Sequence, residues 1–166
     1  MATGRTSLRF FKLQLEDSGG AVRDIPIKTI GGLGITYDEV DVSAVQEAIK
    51  GMFSGQGNFA VTITGPFDNS AAATASASGE AASAHLSGSL TVLEPLNGAM
   101  TARSFGAYIG IQADWTTGDP VFGAVDCVHV TDWITDPIAG TYSCKIVKAG
   151  NAVNNPAWGT AAIAAS

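Results

Sequence analysis

Cys127 and His129 stand two residues apart in the run Val125-Asp-Cys-Val-His-Val130, a spacing that places both side chains on one face of an extended strand. A thiol beside an imidazole is the raw material of nucleophilic catalysis, but that chemistry needs a third group to orient the base. No such group stands nearby, and with only two histidines, His85 and His129, general bases are scarce. Adding Cys144 gives three ligands for a soft metal and no fourth, at a spacing that matches no metal motif. Both cysteines lie in apolar strand patterns, so two buried reduced thiols are the default; a pair of cysteines neither requires nor excludes a disulfide.

Two further groups carry chemical character. Asp38, Glu39 and Asp41 offer oxygens to a hard cation, yet they lack the glycine and the alternate-position ligands of a dedicated binding loop. They read equally as a solvated strand edge, with Asp41 placed for the dipole of a following helix. Asp114-Trp115 and Asp132-Trp133 each pair an acid with an indole, as sugar-binding grooves do. A Trp at a strand end more often closes a core or anchors an interface. No nucleophile elbow, phosphate-cradling loop, H-E-x-x-H or Cys-x-x-Cys is present. The expectation is a protein that is not an enzyme, with no catalytic residues, no cofactor and no metal.

The elements that would position these residues are mostly strands. Phe11, Leu13 and Leu15 alternate with Lys12, Gln14 and Glu16, which predicts a half-buried strand. After the turn Asp17-Ser-Gly-Gly20, a second strand runs from Val22 to Ile30, with Pro26 marking an edge or a bulge. Gly31-Gly32 interrupts it, and Leu33 to Val42 resumes. Phe59, Val61 and Ile63 line one face of a strand over Asn58–Thr64. Further strands are predicted at His85–Glu94, Ser104–Ala113, Val121–Trp133 and Thr141–Lys148, separated by Pro95–Gly98, Thr117–Pro120 and Asp136–Gly140.

One helix is predicted, Ser43–Phe53. Ser43 and Gln46 form a capping box, Gly55 suits the left-handed residue after the last turn, and Val45, Ala48, Ile49, Met52 and Phe53 make an inward apolar stripe. The economical fold is mainly β: a two-sheet sandwich or partly closed barrel of about eight strands with that helix on its flank. The chain reads as one domain over residues 1–166, with 1–9, 70–89 and 151–166 as mobile or partner-ordered segments. Ser70–Ser89 is nearly all Ala, Ser, Thr and Gly, which reads as a flexible linker or as a loop ordered by a neighbour. Trp158 is the one anchor in the C-terminal segment.

Net charge is -6 and only 14% of residues are charged. The nine basic residues form no run, which argues against gripping nucleic acid. Sparse charge is compatible with an interface-rich surface. No run approaches the roughly 18 apolar residues that span a bilayer, and no signal core opens the chain, so no membrane association is expected and synthesis in the cytoplasm is.

In order and in local signature the chain resembles a phage tail tube protein (major tail protein) of the long, non-contractile siphophage type. The resemblance runs over roughly Lys12 to Thr160. It rests on Lys12-Leu-Gln-Leu-Glu-Asp-Ser-Gly-Gly-Ala-Val-Arg-Asp-Ile25, Phe59-Ala-Val-Thr-Ile-Thr-Gly-Pro-Phe-Asp-Asn69, Leu93-Glu-Pro-Leu-Asn-Gly98, Thr117-Gly-Asp-Pro-Val-Phe-Gly123 and the strand Thr141–Lys148. It implies a structural protein of the virion tail, made in the bacterial host, whose hexameric rings stack into a hollow tube. It implies homo-oligomeric contacts, tape-measure, tail-terminator and tail-tip partners, and a lumen through which DNA passes without specific binding. Leu33, Ile35, Tyr37, Asp38, Glu39, His85 and Trp158 are the candidate ring-stacking residues. The alternative is a monomeric β-sandwich binding module, carbohydrate-binding or adhesin-like, using Trp115, Trp133 or Trp158.

Overall fold

The computed structural model describes residues 10–41, 43, 52–75, 86–111 and 113–165. They form ten strands: β1 (Phe11–Glu16), β2 (Val22–Ile25), β3 (Thr29–Ile30), β4 (Thr36–Asp41), β5 (Met52–Asn58), β6 (Ala60–Pro66), β7 (Arg103–Ile109), β8 (Val121–Asp136), β9 (Thr141–Lys148) and β10 (Ala157–Gly159). Eight belong to one sheet, in the order β2-β1-β7-β8-β9-β6-β3, with β10 added against β8; β4 and β5 form a separate two-stranded sheet. The mainly β architecture with a flanking helix stands, but the large sheet does not close into a barrel.

Its two ends nevertheless meet. β2 and β3 are separated only by Pro26-Ile27-Lys28, yet they sit at opposite ends of the strand order. Pro26 has no N–H to donate, so the chain leaves β1 there and Lys28 donates instead to Thr64 O on β6 at 2.6 Å. The buried Tyr142 hydroxyl donates to Pro26 O at 2.6 Å and fixes the crossover. The sheet thus wraps around one core, in which Leu13, Ile25, Phe59, Ile63, Phe105, Phe122, Val130 and Ile146 are all buried.

β1 is buried on both faces, against the half-buried expectation. Leu13 and Leu15 enter the core, and Lys12, Gln14 and Glu16 are buried on the reverse side. Those polar groups are matched: Gln14 Nε2 donates to Asp24 Oδ1 at 2.7 Å, and Glu16 pairs with Arg103 at 3.2 Å and accepts from Ser104 N at 3.2 Å. The Lys12 ammonium lies 4.8 Å from the centre of the Tyr108 ring, and burial lowers its pKa.

The helices correct the sequence reading. The described helix is α1 (Ser89–Leu93), within the strand expected over His85–Glu94, and a 3₁₀ turn over Glu94–Leu96 follows it into the expected turn Pro95–Gly98. Thr91 and Val92 favour a strand locally, but tertiary contacts override that preference. The buried Ser89 hydroxyl donates to Pro66 O and accepts from Asp68 N, both at 3.0 Å. Val92, Leu93 and Leu96 then plug the core. Of the expected helix Ser43–Phe53, Val45, Gln46, Ala48 and Ile49 lie outside the described residues. Its last two residues, Met52 and Phe53, instead open β5, paired with Asp41 and Val40. Gly55 is likewise inside β5 rather than beyond a helix end, facing Asp38 across the pair.

β8 bends twice. Arg103 and Phe105 of β7 face Val128 and Ala124, and Thr131 and Ile134 face Lys145 and Ser143 of β9. At these bulges Asp126 and Asp132 take φ of 46° and 55°, a left-handed conformation that short acidic side chains tolerate.

Candidate subunit interface

The residues with chemical character are largely committed to structure. Cys127 and Cys144 are free thiols inside the core, and burial pushes their pKa values up to about 11 and about 12. Neither is poised as a nucleophile at neutral pH. The bulge at Asp126 breaks the alternation, so Cys127 and Val128 are both buried while the His129 ring is only half-buried, with Nε2 3.0 Å from Met100 O. Among the described residues no three His, Cys, Asp or Glu side chains gather where a metal could sit. Asp38 and Glu39 are exposed on β4; the Asp41 side chain lies outside the description.

The tryptophans do not converge on a groove. Trp115 is buried edge-on to Tyr108 at 4.8 Å, and its indole N–H reaches Asp119 O at 3.0 Å. Trp133 stacks on Tyr142 at 4.9 Å and packs on the core. Trp158, in β10, leans on Phe122 at 5.1 Å and leaves half its surface outside. It anchors the C-terminal segment to β8 through the pairing of Ala157–Gly159 with Val121–Gly123. Farther along, Ile163 N donates to Tyr108 Oη at 2.8 Å, so this segment is held down at two places.

The described ends of Ser70–Ser89 are also tied rather than free. Arg23 Nη1 donates to Ala73 O at 2.9 Å, and Ala73 N donates to the Ser87 hydroxyl at 2.9 Å. Ser87 N in turn donates to Asp24 O at 2.9 Å, which covers the outer edge of β2. Residues 76–85, including His85, lie outside the description.

The ribbon of β4 and β5 is the contrast. Leu33 and Ile35 are partly buried against the main core and fasten its base. Beyond them Thr36 to Val40 are exposed throughout, on both faces. Tyr37 and Val40 expose 57% and 49% of their surface, which is high for large apolar side chains. The backbone is built for the crossing of Tyr37 over β5, because a Cβ on Gly57 would meet the Tyr37 ring at 2.9 Å. A two-stranded ribbon is marginal alone in water. An exposed ribbon with apolar side chains on both faces therefore has the character of a contact element. Sequence reasoning singled out Tyr37, Asp38 and Glu39 here; Val40 was missed, having been read as part of a continuous strand. Trp158 sits in β10 against β8, and the adjoining Asn155 and Pro156 line one cavity with Ile35 and Tyr37 at the base of the ribbon.

No protein-family model matches the chain, and no curated protein matches it in sequence. Solved structures do share its fold. A chain from the six-fold symmetrised baseplate of the anti-feeding prophage is 13% identical, with a TM-score of 0.59 over 95% of this chain and 97% of that one. One from the sheath/tube terminator of the extracellular contractile injection system PVC, in its extended state, is 9% identical, with a TM-score of 0.56 over 96% and 99%. The tube-terminating cap of the anti-feeding prophage gives 9% identity and a TM-score of 0.54 over 97% and 95%. At these identities the likeness is one of fold. That fold, nearly end to end in both directions, is one found in structural components of contractile injection systems.

Proposed function

We propose that this chain is a structural subunit of a phage-tail-like particle, without enzymatic activity, that assembles with copies of itself into rings on the axis of the tube. The observation that carries the reading is the whole-chain fold likeness to terminator, cap and baseplate chains, with at least 93% of each chain covered. The exposed β4–β5 ribbon supports it, because a two-stranded element gains stability by packing against a further surface. Stacking of hexameric rings into a continuous tube is the finer form of the proposal, with tape-measure, terminator and tip proteins as partners. The siphophage type rests on the sequence resemblance, whereas the fold likeness comes from contractile systems. A tube-end ring is therefore as much a part of the proposal as a repeating tube ring. A net charge of -6 suits a wall that lets DNA slide past without holding its phosphates.

Negative-stain microscopy of the purified protein, with light scattering across a concentration series, tests this. Rings, alone or stacked, are the expected outcome. A chain that stays monomeric at every concentration overturns the proposal, and Trp158-dependent glycan binding by that monomer favours a binding module.

A further inference from the structure

The β4–β5 ribbon and the tip of the β8–β9 hairpin lie at opposite ends of β6. The ribbon enters β6 through Asn58 and Phe59 at its start. At its finish Pro66 pairs with Thr141, and Phe67 N donates to Gly140 O at 2.8 Å in the hairpin turn. A strand of seven residues separates the two ends, about 20 Å. Both ends carry apolar side chains that the core does not cover. At the tip these are Phe67, Ile134 and Ile138, with 42%, 65% and 98% of their surface exposed. Beside the tip is an open cavity of about 410 Å³ lined by Lys28, Thr29, Thr64, Ile134 and Tyr142 among others.

Charge distinguishes the two ends. β4 exposes Asp38 and Glu39, and neither ribbon strand contains a Lys or Arg. At the tip the charges balance: Asp132 pairs with Lys145 at 2.9 Å, and Asp136, held by Ile138 N and Ala139 N at 3.0 Å each, lines the same cavity as Lys28. Lys28 is exposed there and makes no ion pair with a described residue. The ribbon strands are thus acidic and the tip balanced in charge with an exposed lysine, both are apolar in character, and they are too far apart to cover one another within a chain. Contact between two such unlike patches is head-to-tail, and head-to-tail contacts repeat into rings or stacks.

We infer that the ribbon of one copy seats on the hairpin tip of the next, with Tyr37 and Val40 against Ile134, Ile138 and Phe67, and the β4 carboxylates toward Lys28. The inference rests on the self-assembly proposed above and supplies its repeating contact. Two variants test it, each altering only exposed side chains: Ile138→Asp at the tip, and Tyr37→Ala with Val40→Asp on the ribbon. Circular dichroism and thermal melts verify that each folds like the parent chain. In sedimentation, each alone is expected to lose higher assembly, with association weakened at least roughly tenfold, the usual scale of a lost apolar anchor. Mixed in equal amounts, they are expected to form a heterodimer, through the intact tip of one and the intact ribbon of the other. A parent chain that assembles while both variants assemble equally well overturns this contact and leaves the self-assembly proposal standing. Loss of assembly without a heterodimer in the mixture also overturns it, since the ribbon and tip would then not be partners. A monomeric parent chain overturns both.

Discussion

Among the described residues, every strand longer than four residues in the eight-stranded sheet has a neighbour along both edges, whereas the six- and seven-residue strands of the β4–β5 ribbon pair only with each other. The large sheet spends its short strands where exposure is greatest: β3 has two residues, and the outer edge of β2 is covered by Ser87. That is how a monomer protects its edges. The ribbon is not protected this way. Neither of its strands contains a proline or a basic residue, and Tyr37 and Val40 are exposed on β4. Among the described residues, one region is closed by its own strand neighbours, and the other presents exposed apolar side chains along unpaired strand edges.

Substitutions should separate the two regions by an order of magnitude in free energy. Phe105→Ala removes a fully buried ring that meets Phe59 at 5.7 Å, and is expected to cost about 3–5 kcal/mol in denaturant unfolding. If it costs no more than a surface change, the wrapped core is wrongly assigned.

Alkaline pH should act on the same core. The thiols of Cys127 and Cys144 are raised from 9.0 to about 11 and about 12, so the folded state holds protons that the unfolded state has released. The stability this reflects is complete below pH 9 and falls progressively as pH rises through 9 towards 11 and 12. Replacing both with Ala should flatten that part of the pH profile of the unfolding midpoint. An unchanged slope would mean that the thiols are not desolvated.

A smaller loss is expected where the sheet's ends meet. Tyr142→Phe removes the hydroxyl that donates to Pro26 O and should cost about 1–3 kcal/mol, because a buried acceptor is left unmatched. Hydrogen exchange at Lys28 and Gly31, whose amides bond to β6, should accelerate with it. Uniform exchange across the sheet instead would show that the crossover is not a local weak point.

The smallest effect belongs to the ribbon. Tyr37→Ala should change monomer stability by no more than about 0.5 kcal/mol, as exposed substitutions do. A destabilisation comparable to that of Phe105→Ala would mean that the ribbon is supported by its own subunit, and the contrast between the regions would vanish.

Much of this was legible locally. Pro26 marked an edge or a bulge within one expected strand, Val22–Ile30, and the structure instead divides that segment there into β2 and β3. Phe59, Val61 and Ile63 alternate into the core as their spacing dictates, and Thr141–Lys148 is β9 to the residue. The helix was misplaced for a physical reason. Met52 and Phe53 fit a helical stripe as well as a strand, and pairing with Val40 and Asp41 decided for the strand. Ser89–Leu93 looks extended in sequence and is helical because Ser89 is bonded on both sides by residues more than 20 positions away. At the candidate interface, exposure of Tyr37 was not visible in an apolar–polar pattern that suits a buried strand equally well.

The sequence by itself determined the class of structure, strands such as Phe11–Glu16, Ala60–Pro66 and Thr141–Lys148, the turns and the scarcity of groups able to do chemistry. Those depend on period, on proline and glycine, and on residue type, which act within a few positions. Only the tertiary structure decided that the ends of the sheet meet at Pro26, that β1 is buried on both faces, and that β4 and β5 stand apart from the sheet. Each of these depends on which strands become neighbours across the chain, and a local pattern of apolar residues is satisfied by any partner that covers it.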